Sequence, residues 1–218
     1  PTIRSLAAHL AGAVDEARPA AADGGPLGGP VAVIGMACRY PGAPDVEAFW
    51  RLLVEGREGI ARLDAAALTA EGLDPALLDQ PGHVPARGVV EGADLFDAAF
   101  FGFSPRDAVV MDPQHRVLLE CAWHALEDAG YDPARAGGPV GVFAGAGLNT
   151  YFHGVLHADG PAPEGAAAYH ELTGNDKDFI ATQIAYRLDL RGPAVAVQSA
   201  CSTSLVAVDL ACQALRAG

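Results

Sequence analysis

The stretch "AVAVQSACSTSLVAVDLACQAL", residues 194–215, decides how the chain is read. Apolar, partly β-branched residues run to Val197, and from Ser202 to Ala217 the pattern becomes helical. A strand therefore passes into a helix at Cys201. Beyond Ser204 the only polar residues are Asp209, Gln213 and Arg216, which fall in one narrow stripe at about 100° per residue. The pattern predicts a helix covered on nearly all sides and lying inside the molecule. The turn before it would set Cys201 at a helix start, where free N–H groups and the positive dipole end favour a thiolate and can hold an oxyanion. Small neighbours, Ala200 and Ser202, leave room for a substrate. The residues alone leave a second reading open, because cysteine is among the most buried residue types and such thiols are commonly inert.

Composition narrows the classes. Of 218 residues, 50% are hydrophobic and 19% charged, enough apolar content to bury a core. The net charge of −13 comes without any run of Lys or Arg, which argues against nucleic acid as a partner. No apolar stretch approaches the roughly 18 residues of a membrane span, and the N-terminus lacks a signal-peptide layout. Cys38, Cys121, Cys201 and Cys212 show no CxxC spacing, so neither a zinc knuckle nor a disulfide framework is expected. Cys201 and Cys212 would stand about 16 Å apart on one helix, too far to bridge. Free thiols point to a cytoplasmic protein with no metal.

Along the chain, "PTIRSLAAHLAGAVDEA" (1–17) reads as a short amphipathic helix, and "RPAAADGGPLGGP" (18–30) has the composition of a linker. "VAVIGMAC" (31–38) reads as a buried strand. "DVEAFWRLLVEG" (45–56) reads as a helix with Val46, Phe49, Trp50 and Leu53 on its inner side, and Trp50 and Trp123 as core or interface anchors. "DPQHRVLLECAWHALEDAGY" (112–131) is a helix ended by Gly130, with Asp112 and Pro113 as its capping element. "PVGVFAGAG" (139–147) is a strand, "DFIATQIAYRLDL" (178–190) a helix and "AVAVQ" (194–198) a strand. Alternating strands and helices predict an α/β layered fold. Both ends look cut, and the chain is expected to be part of a longer polypeptide.

Here a resemblance enters. "GPAVAVQSACSTSLVAVDLACQAL" is similar to the active-site segment of β-ketoacyl synthases, above all the ketosynthase domains of modular polyketide synthases, and its cysteine matches Cys201. "VAVIGMACRYPGAPDVEAFWRLL", "FDAAFFGFSPRDAVVMDPQHRVLLECAWHALEDAGY" and "GNDKDFIATQIAYRLDLRGP" resemble that family's other blocks in order and spacing, over residues 31–218. The resemblance implies the first half of a thiolase-like α/β/α/β/α fold. It implies a decarboxylative condensing acyltransferase in which Cys201 accepts an acyl chain from a carrier protein's phosphopantetheine arm, its backbone N–H forming part of the oxyanion hole. It also implies a homodimer in the intact domain and an acyltransferase domain downstream. Cys201 is not replaced by glutamine, so a decarboxylating loading variant is not implied. Ser199 stands where the family usually has threonine. The family's His-Gly-Thr-Gly-Thr and Asn-Ile-Gly-His type motifs do not occur, so this stretch alone is expected to lack condensing activity. "PTIRSLAAHL" resembles the last helix of an acyl or peptidyl carrier, and a peptidyl carrier would make the assembly line a peptide–polyketide hybrid. Two rival functions remain: a non-catalytic assembly or dimerisation element, and a thiolase-fold enzyme using acyl-CoA.

Other features rank lower. Ser199, Ala200, Ser202, Asn149, Asp112 and Asn175 are candidates for the substrate pocket or an interface. No cofactor site is expected on the chain itself, because Gly145-x-Gly147 lacks a third glycine at Thr150 and suits tight strand-end packing. His115 and His124 lie on opposite faces of their helix and suit no metal. Glu120 and His124, four residues apart, suit a surface pair.

Overall fold

The computed structural model describes residues 29–70, 72–132, 135, 138–156 and 164–218. The expected carrier-like helix at 1–17 and residues 18–28 of the linker lie outside the described residues. The chain divides into two compact units, Ala32–Ala211 and a second made of Pro1–Val31 with Cys212–Gly218. Within the second, the Arg216 guanidinium donates to the Gly29 carbonyl at 3.2 Å.

The first helix, α1 (Val46–Val54), starts where the Asp45 carboxylate accepts the Ala48 N–H at 2.7 Å. Its buried residue is Leu52, whereas Trp50 and Leu53 are each 38% exposed, so the inner side expected from periodicity is displaced. The turn Tyr40–Ala43 folds back on α1, with Gly42 facing the Leu52 side chain and the Tyr40 ring 4.7 Å from that of Phe49. Next come β1 (Ile60–Arg62), α2 (Ala65–Ala70), α3 (Pro75–Leu78) and β2 (Ala86–Gly88), with β1 and β2 paired antiparallel from Ile60↔Gly88 to Arg62↔Ala86.

The core is built on α4 (Pro105–Val110) and above all α5 (Pro113–Asp128). Asp112 caps α5, Pro113 takes its first position, and Gly130 at φ +71 ends it. Leu119 packs with Phe101, Ile184 and Leu188, and Trp123 meets Phe100 edge-on at 4.9 Å. Trp123 is thus a core anchor, and Trp50 is not. Arg187 lies over the Phe103 ring at 3.6 Å and donates to the Gly102 carbonyl at 2.8 Å. Glu120 pairs with Arg39 rather than with His124, which is exposed, because the segment before α1 runs along α5 and brings a guanidinium to it.

β3 (Val142–Ala144) and β4 (Ala194–Ala196) are parallel, in register Val142↔Ala194, Phe143↔Val195 and Ala144↔Ala196. Parallel neighbours need a crossover. Here it contains a π-helical turn (Phe152–Leu156), α6 (Ala166–Asn175), a short 3₁₀ turn (Lys177–Phe179) and α7 (Ile180–Arg187). Ile180 and Ala181 of α7 are almost wholly buried against Ala144. The last helix, α8 (Thr203–Ala217), follows a 3₁₀ turn at Ala200–Ser202.

Two further expectations fail. Residues 31–38 form no strand, and Val33, Ile34 and Met36 are exposed. A strand needs a neighbour to take its N–H and C=O groups, and no described strand runs beside this segment. Its ties are side-chain ones instead, such as the Met36 N–H donating to the Asp128 carboxylate at 2.8 Å. Helix α8 forms as expected but is not enclosed: Leu205 is 77% exposed and Leu215 68%, and Ala207 is its buried residue. No described element covers that apolar side, and burial depends on such a cover rather than on the helix's own composition.

Candidate active site

The turn between β4 and α8 is held from the sheet side first. The Val197 N–H donates to the Ala144 carbonyl at 2.8 Å, extending the β3–β4 pairing to a buried Val197. The chain then reverses through Ser199 to Ala200, which sits at φ +48. A left-handed conformation is strained for a residue with a β-carbon, by roughly 1–3 kcal/mol. It persists because hydrogen bonds surround it. The Ser199 N–H donates to Thr203 Oγ1 at 2.9 Å, and that hydroxyl donates to the Ala200 carbonyl at 2.8 Å. Ser202 returns both its N–H, at 3.1 Å, and its hydroxyl, at 2.8 Å, to the Ser199 carbonyl. The Ser199 and Ser202 hydroxyls also meet at 2.7 Å.

Cys201 stands inside this ring of bonds and takes no part in it. Its side chain is exposed, the others of the four free cysteines being half-buried, and no described residue accepts its N–H. A strained strand-to-helix turn that pushes one nucleophilic side chain outward, beside free N–H groups, suits covalent capture of a carbonyl. Cys38 and Cys121 contrast with it: burial pushes both thiols up, away from the reactive thiolate. They line a cavity of about 420 Å³ with Arg39, Gln114, Leu118 and Gly147, of which Cys201 is not part.

The other candidates gather elsewhere. Asp112, 3% exposed, accepts the Gln114 N–H at 2.8 Å and donates its own N–H to the Gly174 carbonyl at 3.0 Å. Beside it Asn175 donates to the Val110 carbonyl at 2.6 Å and the Glu171 carbonyl at 2.9 Å. Asn149 donates to the Asn175 carbonyl at 2.9 Å and accepts the Phe152 N–H at 2.9 Å. Asp112, Asn149 and Asn175 therefore form one buried network joining α4, α5 and α6, while Ser199, Ala200 and Ser202 frame Cys201. His115 lies beside the first network, within the electrostatic reach of Asp112. Burial lowers its imidazole's affinity for a proton, Asp112 and Asp176 opposing the shift, and neither ring nitrogen has a hydrogen-bond partner among the described residues.

Gln114 and Thr203, which the sequence did not single out, and Gly145, which it marked as a packing glycine, connect the two clusters. Gln114 donates to the Asp112 carboxylate at 3.1 Å and accepts the Gly147 N–H at 2.7 Å. Two residues back, Gly145 has no room for a Cβ, which would collide with the Val197 carbonyl oxygen and the Thr203 methyl. The strand-end glycines serve tight packing, and the packing partner at Gly145 is the Cys201 turn itself. A threonine at the first helical position after the cysteine was the available signal for Thr203. Among the described residues no three His, Cys, Asp or Glu side chains gather in a metal-binding cluster. No described helix is long and apolar enough to cross a membrane.

Comparison with known proteins identifies the family. Residues 29–218 match the family model described as "Beta-ketoacyl synthase, N-terminal domain". The chain is 49% identical over 194 residues to a phenolphthiocerol/phthiocerol polyketide synthase component of Mycobacterium tuberculosis, covering 86% of this chain and 13% of that protein. It is 46% identical to the spectinabilin polyketide synthase system protein NorA' of Streptomyces orinoci, over 100% of this chain and 6% of that protein. The chain thus spans a small part of these relatives. Among solved structures it resembles ketosynthase twelve of the bacillaene polyketide synthase from Bacillus amyloliquefaciens, with TM-score 0.73 and 34% identity over 86% of this chain and 32% of that one. The ketosynthase from module 1 of the bacillaene synthase of the same species gives TM-score 0.69 and 38% identity, over 86% and 31%. These likenesses extend the two short sheets and their helices to part of the thiolase-like α/β architecture of ketosynthases. The chain belongs to the β-ketoacyl synthase family, over the span of that family's N-terminal domain.

Proposed function

We propose that this chain supplies the acyl-accepting half of a polyketide ketosynthase, with Cys201 as its nucleophile. The observation that carries the reading is an exposed thiol at a strained strand-to-helix turn, in a chain of this family. The Cys201 thiolate attacks the carbonyl of an acyl thioester carried on the phosphopantetheine arm of an acyl or peptidyl carrier protein. The free Cys201 N–H holds the oxygen as it becomes negative. The carrier's thiol leaves with a proton, and the acyl chain remains on Cys201. Loss of CO2 from a malonyl-type thioester on a second carrier arm then leaves a carbanion, which attacks the acyl-Cys201 carbonyl. A β-ketoacyl-carrier forms and the Cys201 thiolate is released. The histidines that such families use for the decarboxylative step have no counterpart in this sequence, so that step requires residues beyond it.

The same reading assigns the complete protein to a soluble, cytoplasmic, homodimeric assembly line with an acyltransferase domain after the ketosynthase. The test uses the full-length polypeptide, incubated with an acyl-pantetheine thioester and analysed by peptide mass spectrometry. We expect the acyl group on Cys201, none on Cys38, Cys121 or Cys212, and no acylated peptide from residues 29–218 of Cys201→Ala. Equal labelling of the four thiols, or acylation within residues 29–218 of Cys201→Ala, would favour a non-catalytic assembly element and sink the proposal.

A further inference from the structure

We infer that Thr203 is the positioning residue for Cys201, aligning the thiol to the sheet rather than to its own helix. The inference rests on the reading of Cys201 as nucleophile. Three observations meet at this one side chain. Its hydroxyl accepts the Ser199 N–H at 2.9 Å and donates to the Ala200 carbonyl at 2.8 Å, so a single oxygen ties the Gln198–Ser199 peptide to the Ala200–Cys201 peptide across the left-handed residue. Its methyl lies where a Cβ on Gly145 would stand, against the end of β3. The same strand end receives the Val197 N–H at the Ala144 carbonyl, at 2.8 Å, so both arms of the turn refer to one rigid element.

A threonine side chain has few χ1 states to choose from. Here one rotamer serves both branches: the methyl is wedged at Gly145 while the hydroxyl faces Ser199 and Ala200. Ser202 does not substitute for it. The Ser202 hydroxyl reaches only the carbonyl and hydroxyl of Ser199, both ahead of the strained residue, and makes no bond to Ala200. Thr203 thus fixes the backbone that aims Cys201, and Gly145 is the seat that makes its placement possible.

The test compares Thr203→Val, which keeps the shape and removes the hydroxyl, with Thr203→Ser, which does the reverse, in the full-length polypeptide. The readouts are kcat and KM for acyl transfer from an acyl-pantetheine thioester, the rate of Cys201 alkylation by iodoacetamide, and the melting temperature. We expect Thr203→Val to lower kcat by about ten- to a hundredfold, the scale on which small misplacements of a reacting group act, with KM little changed. Thr203→Ser should restore most of the loss, and the alkylation rate should follow kcat. Wild-type kcat in Thr203→Val, equal losses in both variants, or a fall in melting temperature without a change in alkylation rate would each overturn the inference. Cys201→Ala is the control: if residues 29–218 still take up acyl groups, the nucleophile assignment fails, and iodoacetamide alkylation still decides the role of Thr203.

Discussion

The two long helices begin in opposite ways. At the start of α5 the chain places its own anion: Asp112 is buried, its carboxylate takes the Gln114 N–H, and Asn175 ties the neighbouring carbonyls. A carboxylate there satisfies the free N–H groups and the dipole, and it closes the helix end to anything else. At α8 no carboxylate precedes the helix, and neutral hydroxyls bonded to one another and to nearby backbone surround an exposed thiol. In the chemistry proposed for Cys201 an oxyanion would approach this helix start, and the difference is made by which side chains stay off it. One helix start is closed by a side chain, the other is left open.

The comparison breaks first at Asn175. Replacing Asn175 by Ala should remove the side-chain donor to the part-buried Val110 and Glu171 carbonyls and cost about 2 kcal/mol of stability. A urea titration reads the loss, while the Cys201 alkylation rate stays unchanged. Should alkylation rise sharply as well, the two helix starts are coupled and the contrast is weaker than the geometry suggests.

A smaller effect concerns pH. Burial disfavours the charged form of His115, so its folded affinity for protons is below the ordinary value of about 6.5. As pH falls below that value the unfolded chain binds the proton first, and stability contributed by neutral His115 declines. Above it the contribution is complete. His115→Leu should flatten this acid limb in urea titrations at a series of pH values. An unchanged limb would mean that the imidazole is protonated in place, held by Asp112 and Asp176.

The smallest effect is at Ala200. Glycine adopts φ +48 without the β-carbon penalty but loses more entropy on folding. Ala200→Gly should therefore raise stability by about 1 kcal/mol or less. A clear destabilisation in the same urea titration would show that the Ala200 methyl makes contacts that outweigh its strain.

How much of this was legible in the sequence depends on the range of the interaction. Asp112, Pro113 and Gly130 mark α5 by local rules, and the pattern from Ser202 marks α8. The Cys201 joint was also visible, because periodicity changes there. Burial was not: residues 31–38 have the composition of a strand but no described neighbour to pair with, and the apolar side of α8 has no described cover. Leu52 turned inward where Tyr40–Ala43 folds back, which no helical period encodes. The asparagine network and the Thr203–Gly145 contact join positions far apart along the chain. Residue types name the candidates in such cases, but only the fold decides which of them meet.

The hydrogen atom that serves as the side chain of Gly145 has a consequence for how the sequence can change over time. Any larger group there meets the Val197 carbonyl oxygen as well as the Thr203 methyl, and no side-chain change elsewhere moves a backbone carbonyl out of the way. Position 145 should therefore stay glycine across homologues while position 203 can exchange between hydroxyl-bearing residues, the strand end recording by its constancy the turn that carries the thiol.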